Sequence, residues 1–246
     1  MKKWLAVLLV TVIGVSLMAG ILEEIKARGY IVMGTEATFP PFEFRNEKNE
    51  VVGFDIDIGK KIAEALGVEL RIVDMPFDSL IPSLITKKID IAIAAMTITE
   101  ERKKSVNFSD PYFKAGQVIV VRRGAPAIKT LEELKGKKVA VQQGTTGDLI
   151  VSEIEGVKIS RFARFTDAFL ELMNGRVDAV VLDFAPARAY VAMYPQLVIT
   201  SDVLSEEEYG IAVRKEDTDL LEFINSVLRN MKKSPYDLLV EKWFSE

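Results

Sequence analysis

The sequence contains no cysteine and no histidine. Without cysteine the chain cannot form a disulfide, bind a metal through thiolates or carry a lipid anchor on a cysteine. Without histidine it lacks the general base of the common serine and cysteine hydrolases, and most zinc sites lose their usual ligand. We therefore expect packing to hold the fold together, and we expect no metal, no cofactor and no common enzyme mechanism.

The sequence also lacks an excess of positive charge. Its formal net charge is −4 and its pI is near 5.3, whereas nucleic-acid-binding proteins gain much of their affinity from clustered lysine and arginine. We therefore expect no nucleic-acid partner. Asparagine and glutamine are scarce while lysine and glutamate are frequent, a composition that favours a thermophilic source.

A long apolar run lies near the start of the chain. Lys2 and Lys3 precede apolar residues 4–17, and small residues follow. This order is typical of a secretory signal peptide, so we expect residues 1–20 to be cleaved on export to the periplasm or another extracytoplasmic compartment. The alternative, a permanent membrane anchor, needs about 20 apolar residues with charged or aromatic flanks on both sides. No later segment is long and uncharged enough to span a bilayer.

Short apolar segments alternate with amphipathic stretches along the rest of the chain. This pattern predicts an α/β protein whose largely parallel sheets are covered by helices. The predicted strands are Tyr30–Gly34, Ile89–Ala94, Val118–Val121, Lys138–Gln142, Val177–Leu182 and Gly210–Val213.

Two short segments occur twice, in the same order. LEEIK at 22–26 recurs as LEELK at 131–135, and KIDIAI at 88–93 recurs as RVDAVV at 176–181. Because the order is shared, we expect two similar lobes, each a mixed, mostly parallel sheet flanked by helices. The predicted ranges are 21–112 with 205–246 for lobe 1 and 113–204 for lobe 2.

Ligands of parallel sheets bind beyond the carboxyl ends of the strands, so two facing lobes would share one cleft. Equivalent positions of the two repeats should meet there. One pair of positions lies fourteen residues after the Leu that begins each LEE segment, and the other pair lies five residues after the Asp of KIDIAI and of RVDAVV. These positions are Glu36, Thr145, Ala95 and Asp183.

Two helix starts are predicted at this cleft. Residues 144–148, GTTGD, follow a strand and resemble a helix N-terminus with free amides, which favours an anion such as phosphate or carboxylate. An ordinary capped helix is the alternative. The Lys-Ser or Lys-Thr of a phosphate loop is absent, which disfavours a nucleotide. At the other start, Thr97 and Glu100 have the spacing of a capping box.

Charged and aromatic side chains near the strand ends suggest how a ligand is held. Arg102 has a planar guanidinium that can hold a carboxylate through two hydrogen bonds. Asp183 ends a predicted strand and can hold an ammonium group, although a helix cap is the alternative. Phe39 and Phe77 could enclose the apolar or planar part of a ligand, while Phe42 is expected in the core together with Phe44.

The chain resembles the polar amino-acid-binding proteins of ABC importers, members of the bacterial extracellular solute-binding protein family 3, over essentially the whole chain after the leader. The resemblance implies a two-lobed type II periplasmic-binding-protein fold and a binding protein, not an enzyme, that delivers a free amino acid to a membrane permease. The motifs that carry it are FPPFEF at 39–44, VGFDIDI at 52–58, LIPSLITKKID at 80–90, MTITEERKKSVNFSDPY at 96–112, VQQGTTGD at 141–148 and DAVVLDF at 178–184.

The resemblance also implies roles for individual residues. Arg102, with help from Thr97 and Thr146, would bind the α-carboxylate of the ligand, and Asp183 would bind its α-ammonium. Backbone groups at Ala95 and Thr97 would complete this clamp. The full set of predicted ligand-binding residues is Glu36, Phe39, Phe77, Ala95, Met96, Thr97, Arg102, Gln142, Thr145, Thr146 and Asp183.

The far end of the site bears on the choice of ligand. Phe39 and Phe77 would flank the ligand side chain, and Glu36 and Gln142 would reach its far end. An acidic group there would attract a guanidinium, which favours L-arginine. Family members that bind glutamine often carry a base where this chain has Gln142, and without that base Glu36 would stay unpaired beside an amide. Glutamine, lysine and histidine remain open.

The resemblance further implies closure of the two lobes about the crossings near 112–116 and 205–210. A periplasmic cyclohexadienyl or arogenate dehydratase on the same fold is the enzyme alternative, with Glu36 or another cleft acid as proton donor. The sensor domain of a receptor is a third alternative.

Overall fold

The computed structural model describes residues 20–233 and 236–245. The predicted signal peptide therefore lies outside the described residues except for Gly20. Within the described ranges, the strands form two five-stranded sheets, one three-stranded sheet and one two-stranded sheet. No helix in these ranges combines the length and apolar character that a membrane crossing requires.

Strands and helices alternate along the described chain. The strands are β1 Tyr30–Thr35, β2 Thr38–Phe39, β3 Glu43–Arg45, β4 Val51–Val52, β5 Glu69–Asp74, β6 Ile91–Ala92, β7 Val106–Phe108, β8 Phe113–Ala115, β9 Gln117–Arg122, β10 Lys138–Gln142, β11 Lys158–Phe162, β12 Ala179–Asp183, β13 Leu197–Ile199, β14 Glu207–Tyr209 and β15 Ala212–Arg214. The α-helices are α1 Ile21–Arg28, α2 Phe54–Leu66, α3 Leu80–Ile85, α4 Glu100–Lys103, α5 Thr146–Ser152, α6 Phe165–Met173, α7 Phe184–Met193, α8 Thr218–Lys233 and α9 Tyr236–Phe244.

The two large sheets have matching topologies. Their strand orders are β5-β1-β6-β15-β7 and β11-β10-β12-β9-β13. In each sheet the second strand of the order, β1 or β10, pairs in parallel with both neighbours, and only β15 or β9 runs against the other four. The predicted α/β class with mixed, mostly parallel sheets is therefore confirmed.

Both faces of the first sheet are covered, as the alternation of side chains along its strands requires. Ile31, Met33 and Ile91 belong to an apolar cluster that includes residues of α2 and α8. Val32 and Ala92 point the other way and pack in a cluster with residues of α3. Each fully buried Ile or Met contributes about 1.5–3 kcal/mol to folding, so these two layers account for much of the lobe's stability.

Two antiparallel strands connect the sheets. β8 pairs with β14, with Phe113 opposite Tyr209, between the chain segments that build the two large sheets. The first sheet uses residues 30–108 and 212–214, and the second uses 117–199. The exact limits of the lobes remain predictions.

An aromatic cluster packs behind these connecting strands. The Phe42 ring is fully buried and packs edge-on against Phe113 and Tyr209, with ring centroids 4.8 and 5.2 Å apart. Phe44 is only half-buried and packs edge-on against Trp243 at 5.9 Å. The expectation of a core position thus holds for Phe42 and only in part for Phe44.

Candidate functional site

A narrow cavity lies between the two large sheets, and both sheets contribute to its walls. It contains every predicted ligand-binding residue except Met96, together with Glu43 and Ala94, which were not predicted. The lining residues are Glu36, Phe39, Glu43, Phe77, Ala94, Ala95, Thr97, Arg102, Gln142, Thr145, Thr146 and Asp183. That these residues contact a ligand remains a prediction.

Met96 lies beneath the cavity wall. Its side chain is fully buried in the apolar cluster that contains Phe77 and Leu80, and its carbonyl oxygen accepts a hydrogen bond from the Gly210 N–H at 3.0 Å. The backbone bends at Ala95, whose φ is +45°, and Ala95 and Thr97 line the cavity while the Met96 side chain points into the core.

Arg102 lies on the wall that the first sheet provides. Its Nη1 donates to the Thr97 carbonyl oxygen at 2.6 Å and its Nη2 to the Gly144 carbonyl oxygen, on the opposite wall, at 2.9 Å. The guanidinium also lies 5.1 Å from the centre of the Phe77 ring. Burial lowers the pKa of Arg102 to about 10, against the opposing charges of Glu207 and Asp183, so Arg102 is a cation near neutral pH.

The predicted capping role of Thr97 is wrong. Helix α4 begins at Glu100, and its N-cap is Thr99, whose Oγ1 accepts a hydrogen bond from the Arg102 N–H at 3.2 Å. Thr97 is two residues too early, because its backbone is extended and forms a bridge with Tyr209. The Thr97 hydroxyl therefore does not cap α4; Thr97 lines the cavity, and its hydroxyl donates to Glu207.

The helix start predicted at 144–148 is present on the opposite wall. Thr145 is the N-cap of α5, and its Oγ1 accepts from the Asp148 N–H at 3.3 Å. Gly147 packs so tightly that an added Cβ would lie 2.8 Å from the Gln117 Oε1 atom. A larger residue would therefore push α5, and Thr146 with it, away from its present position.

Asp183 ends β12 and faces the same cavity. It occupies the N-cap position of α7, yet its side chain makes no capping hydrogen bond, which disfavours the alternative reading as a helix cap. Its Oδ1 atom is buried and makes no direct hydrogen bond among the described residues, although the nearby side chains of Tyr209 and Gln117 favour the ionised carboxylate and partly offset the effect of burial on its pKa. Burial, reinforced by the nearby charge of Glu207, raises the pKa of Asp183 to about 7. A bound cation would stabilise the ionised form.

Glu36 lies at the other end of the cavity, and the expectation that it lacks a basic partner is wrong. Its carboxylate accepts hydrogen bonds from Gln142 Nε2 at 2.9 Å and from Arg164 Nη1 at 2.7 Å. Arg164 also contacts Asp74 at 3.0 Å. Burial still raises the pKa of Glu36, because these partners offset the loss of water only in part.

Arg164 could have been found by the rule that located the other residues. It follows β11, a parallel strand of the second sheet, so it lies beyond a carboxyl end, where ligands are expected. It was missed because no repeat or motif marks it. Only the meeting of the two lobes brings it to Glu36, 128 positions away in the chain.

The aromatic walls differ from each other. Phe39 stacks on Phe165 of the second lobe, with ring centroids 5.3 Å apart, and is 6% exposed. Phe77 is 8% exposed and lies beside Arg102 instead of another ring. Phe39 therefore contributes to the contact between the lobes as well as to the cavity.

Three further acidic residues at or near the cavity were not predicted: Glu43, Asp55 and Glu207. Glu43 is fully buried next to Asp55, and burial, followed by the charge of Asp55, raises the pKa of Glu43 well above its usual range. Asp55 in turn accepts from the Ala95 N–H and from the Tyr112 hydroxyl, both at 2.7 Å. Glu207, on β14, accepts from the Thr97 hydroxyl at 2.6 Å.

A larger groove runs along the connecting strands. Its walls are mostly apolar and include Phe113, Phe184 and Trp243, and it shares only Asp183 with the narrow cavity. Groups suited to both ends of a zwitterion converge in the narrow cavity. Within the described ranges, no cluster of three or more acidic side chains is arranged to hold a metal ion.

Two α/β lobes that face each other across a cavity with charges of opposite sign define a two-lobed solute-binding protein. The chain belongs to the bacterial extracellular solute-binding proteins, family 3, which it matches over residues 31–246. Among curated relatives, it is 35% identical over 223 residues to ABC transporter arginine-binding protein 1 of Escherichia coli K12, covering 88% of this chain and 91% of that protein.

Solved structures agree with the predicted two-lobed type II fold. The arginine-bound form of truncated ArgBP from T. maritima is 68% identical, with a TM-score of 0.84, and the match covers 85% of this chain and 99% of that chain. An ancestral arginine-binding protein bound to glutamine is 55% identical, with a TM-score of 0.86, covering 89% of this chain and 99% of that one.

Proposed function

We propose that this protein binds a free amino acid, with L-arginine as the first candidate, and delivers it to the permease of an ABC importer. The observation that carries the proposal is the pair Arg102 and Asp183, which have opposite charges, lie on walls provided by different sheets and line one cavity. A zwitterion of matching length satisfies both charges at once. The membership of this chain in the solute-binding family supports a role in solute capture.

The clamp is suited to the α-carbon end of an amino acid. The Arg102 guanidinium would pair with the α-carboxylate, and the free Asp183 Oδ1 would accept from the α-ammonium. Thr145 and Thr146, at the start of α5, would add backbone donors to the carboxylate side. A buried, unpaired acceptor costs about 1–3 kcal/mol, and a ligand ammonium would give the Asp183 Oδ1 atom a donor.

The side-chain end favours arginine but leaves glutamine as a second candidate. Glu36 and Asp74 carry two negative charges around Arg164, and a ligand guanidinium could share Glu36 with it. The same ion pair, however, already neutralises much of the Glu36 charge, and a neutral amide would disturb it less. The similarity to an arginine-binding relative bound to glutamine supports this second candidate.

The two lobes would close around the ligand. We assign lobe 1 to residues 21–112 and 205–246 and lobe 2 to 113–204, with β8 and β14 as the hinge. A ligand stabilises the closed form only if it contacts both lobes. We further propose export by a signal peptide at 1–20, an extracytoplasmic location and binding without catalysis, in keeping with the family.

Isothermal titration calorimetry on protein stripped of ligand by unfolding and refolding tests the proposal. L-arginine should bind most tightly among the common amino acids, and tighter binding of glutamine would favour the second candidate. Absence of binding by every common amino acid would remove the proposed function. Incubation with prephenate or arogenate should yield no product, whereas turnover would favour the dehydratase.

A further inference from the structure

Glu207 lies on the hinge strand β14, yet its carboxylate reaches the wall of the cavity. Its Oε2 accepts from the Thr97 hydroxyl at 2.6 Å and from the Thr146 hydroxyl at 2.7 Å. Its Oε1 accepts from the Ser205 hydroxyl at 2.7 Å. Since Thr97 and Thr146 belong to opposite walls, one carboxylate connects both lobes with the hinge.

The direction of these hydrogen bonds determines what the threonines can offer a ligand. An ionised carboxylate only accepts, so Thr97 and Thr146 must donate their hydroxyl protons to Glu207. Each hydroxyl oxygen then presents only lone pairs to other neighbours, and Gln117 Nε2 already donates to Thr146 Oγ1 at 3.1 Å. A ligand group beside these oxygens must therefore be a donor, as an ammonium is and a carboxylate is not.

Glu207 does not take the place of the ligand carboxylate. The Arg102 guanidinium donates to the carbonyl oxygens of Thr97 and Gly144, not to Glu207. The negative charge of Glu207 instead acts on Asp183, whose pKa it helps to raise. Two neighbouring carboxylates, one with a free oxygen, form a region of negative charge that a cation would neutralise.

We propose that Glu207 is a positioning residue for the ammonium end of the ligand. It holds the hydroxyls of Thr97 and Thr146 as acceptors and adds a second negative charge near Asp183. The inference deepens the proposed function and rests on it. It also changes the role implied by the family resemblance, because the side chains of these threonines would serve the ammonium and leave the α-carboxylate to Arg102 and backbone N–H groups.

The test compares two ligands that differ only in the α-ammonium: L-arginine and 5-guanidinopentanoate. In Glu207→Gln, the side-chain amide can donate, so the threonine hydroxyls need no longer act as acceptors. Calorimetry should show that this variant loses affinity for L-arginine by about tenfold or more, the cost of weakening charge-assisted hydrogen bonds. Its affinity for 5-guanidinopentanoate should change by less than about threefold.

The matched control is Glu208→Gln, which removes the same charge from an exposed neighbour on the same strand and should leave both affinities unchanged. If Glu207→Gln fails to fold, Thr97→Val removes one acceptor and should show the same selective loss. Equal losses for both ligands would reduce Glu207 to a structural role, and a gain for L-arginine would make it a competitor of the ligand carboxylate. Either result overturns the inference.

The failure of the proposed function is distinguishable from these outcomes, because it would appear as absence of binding by the unmutated protein. If glutamine is the ligand, glutamine and glutaramate form the corresponding pair for the same comparison.

Discussion

The two ends of the cavity use charge differently. At the end proposed for the α-carbon, Arg102 donates to the backbone carbonyl oxygens of Thr97 and Gly144, and one oxygen of Asp183 makes no direct hydrogen bond within residues 20–233 and 236–245. At the side-chain end, Glu36 and Asp74 already share Arg164 across the lobes. Binding a zwitterion at the first end would require Arg102 to exchange neutral backbone acceptors for a carboxylate, while binding at the second end would require an ion pair to reorganise. We therefore expect recognition of an amino acid and choice among amino acids to have different physical origins.

The largest expected effect lies at the α-carbon end. Arg102→Ala should abolish measurable binding of every amino acid, because removing one partner of a buried charge contact costs about 2–5 kcal/mol or more. Calorimetry with L-arginine measures the loss. Lys103→Ala, an exposed neighbour on the same helix, is the control. Near-normal affinity in Arg102→Ala would refute the clamp.

A second substitution tests the side-chain end. Glu36→Gln should weaken L-arginine by about 1.5–3 kcal/mol, the value of a hydrogen bond to a charged group, and should weaken glutamine much less. Arg164 keeps Asp74 as a partner at 3.0 Å in this variant, so the fold should tolerate the change. The ratio of the two affinities is the measurement. Equal losses would remove Glu36 from the choice of ligand.

The pH dependence of binding tests the raised pKa of Asp183, which is about 7. An ammonium ligand favours the ionised carboxylate, so binding should release a proton below pH 7. Affinity for L-arginine should then fall by up to about tenfold per pH unit below 7 and level off between pH 7 and 8.

Titration in buffers of different ionisation enthalpy would detect the proton released on binding. The same group should make the empty protein less stable as pH rises from 4 to 7, because the folded state holds a proton that the unfolded state gives up. An affinity that does not change between pH 5.5 and 8 would contradict this assignment.

The smallest expected effect concerns Phe77. Its ring lies 5.1 Å from the Arg102 guanidinium, a contact worth about 0.5–2 kcal/mol. Phe77→Leu keeps an apolar wall but loses this attraction, so affinity for L-arginine should fall by about threefold. Phe44→Leu is the control, because the Phe44 ring packs on Trp243 and is not part of the cavity lining. A loss as large as that of Arg102→Ala would mean that Phe77 supports the cavity wall itself.

Much of the site could be predicted because it follows from the order of strands. The repeats identified β1 with β10 and β6 with β12 as equivalent strands, and their carboxyl ends place Glu36, Thr145, Ala95 and Asp183 at one cavity. This works because parallel strands end at the same edge of a sheet. The residue that caps a helix was less predictable, since Thr99 and not Thr97 caps α4.

Residues that depend on the meeting of the lobes escaped prediction. Arg164 reaches Glu36 and Glu207 reaches Thr97 only because the two walls and the hinge converge. Met96 differs in the opposite way: it was predicted at the site because it lies between two cavity residues in the chain, but its side chain points into the core. Sequence spacing could not show these contacts, because it does not specify which side chains from separate elements face each other.

For this protein, the sequence by itself determined the α/β class, the presence of two similar lobes and the strand ends that form the site. It did so because periodicity and repeats are local properties of the chain. Only the tertiary structure decided which charges are paired and which are free. Pairing depends on distances of a few ångströms between residues such as Glu36 and Arg164, which are 128 positions apart in the chain, and such distances exist only after the lobes have packed together.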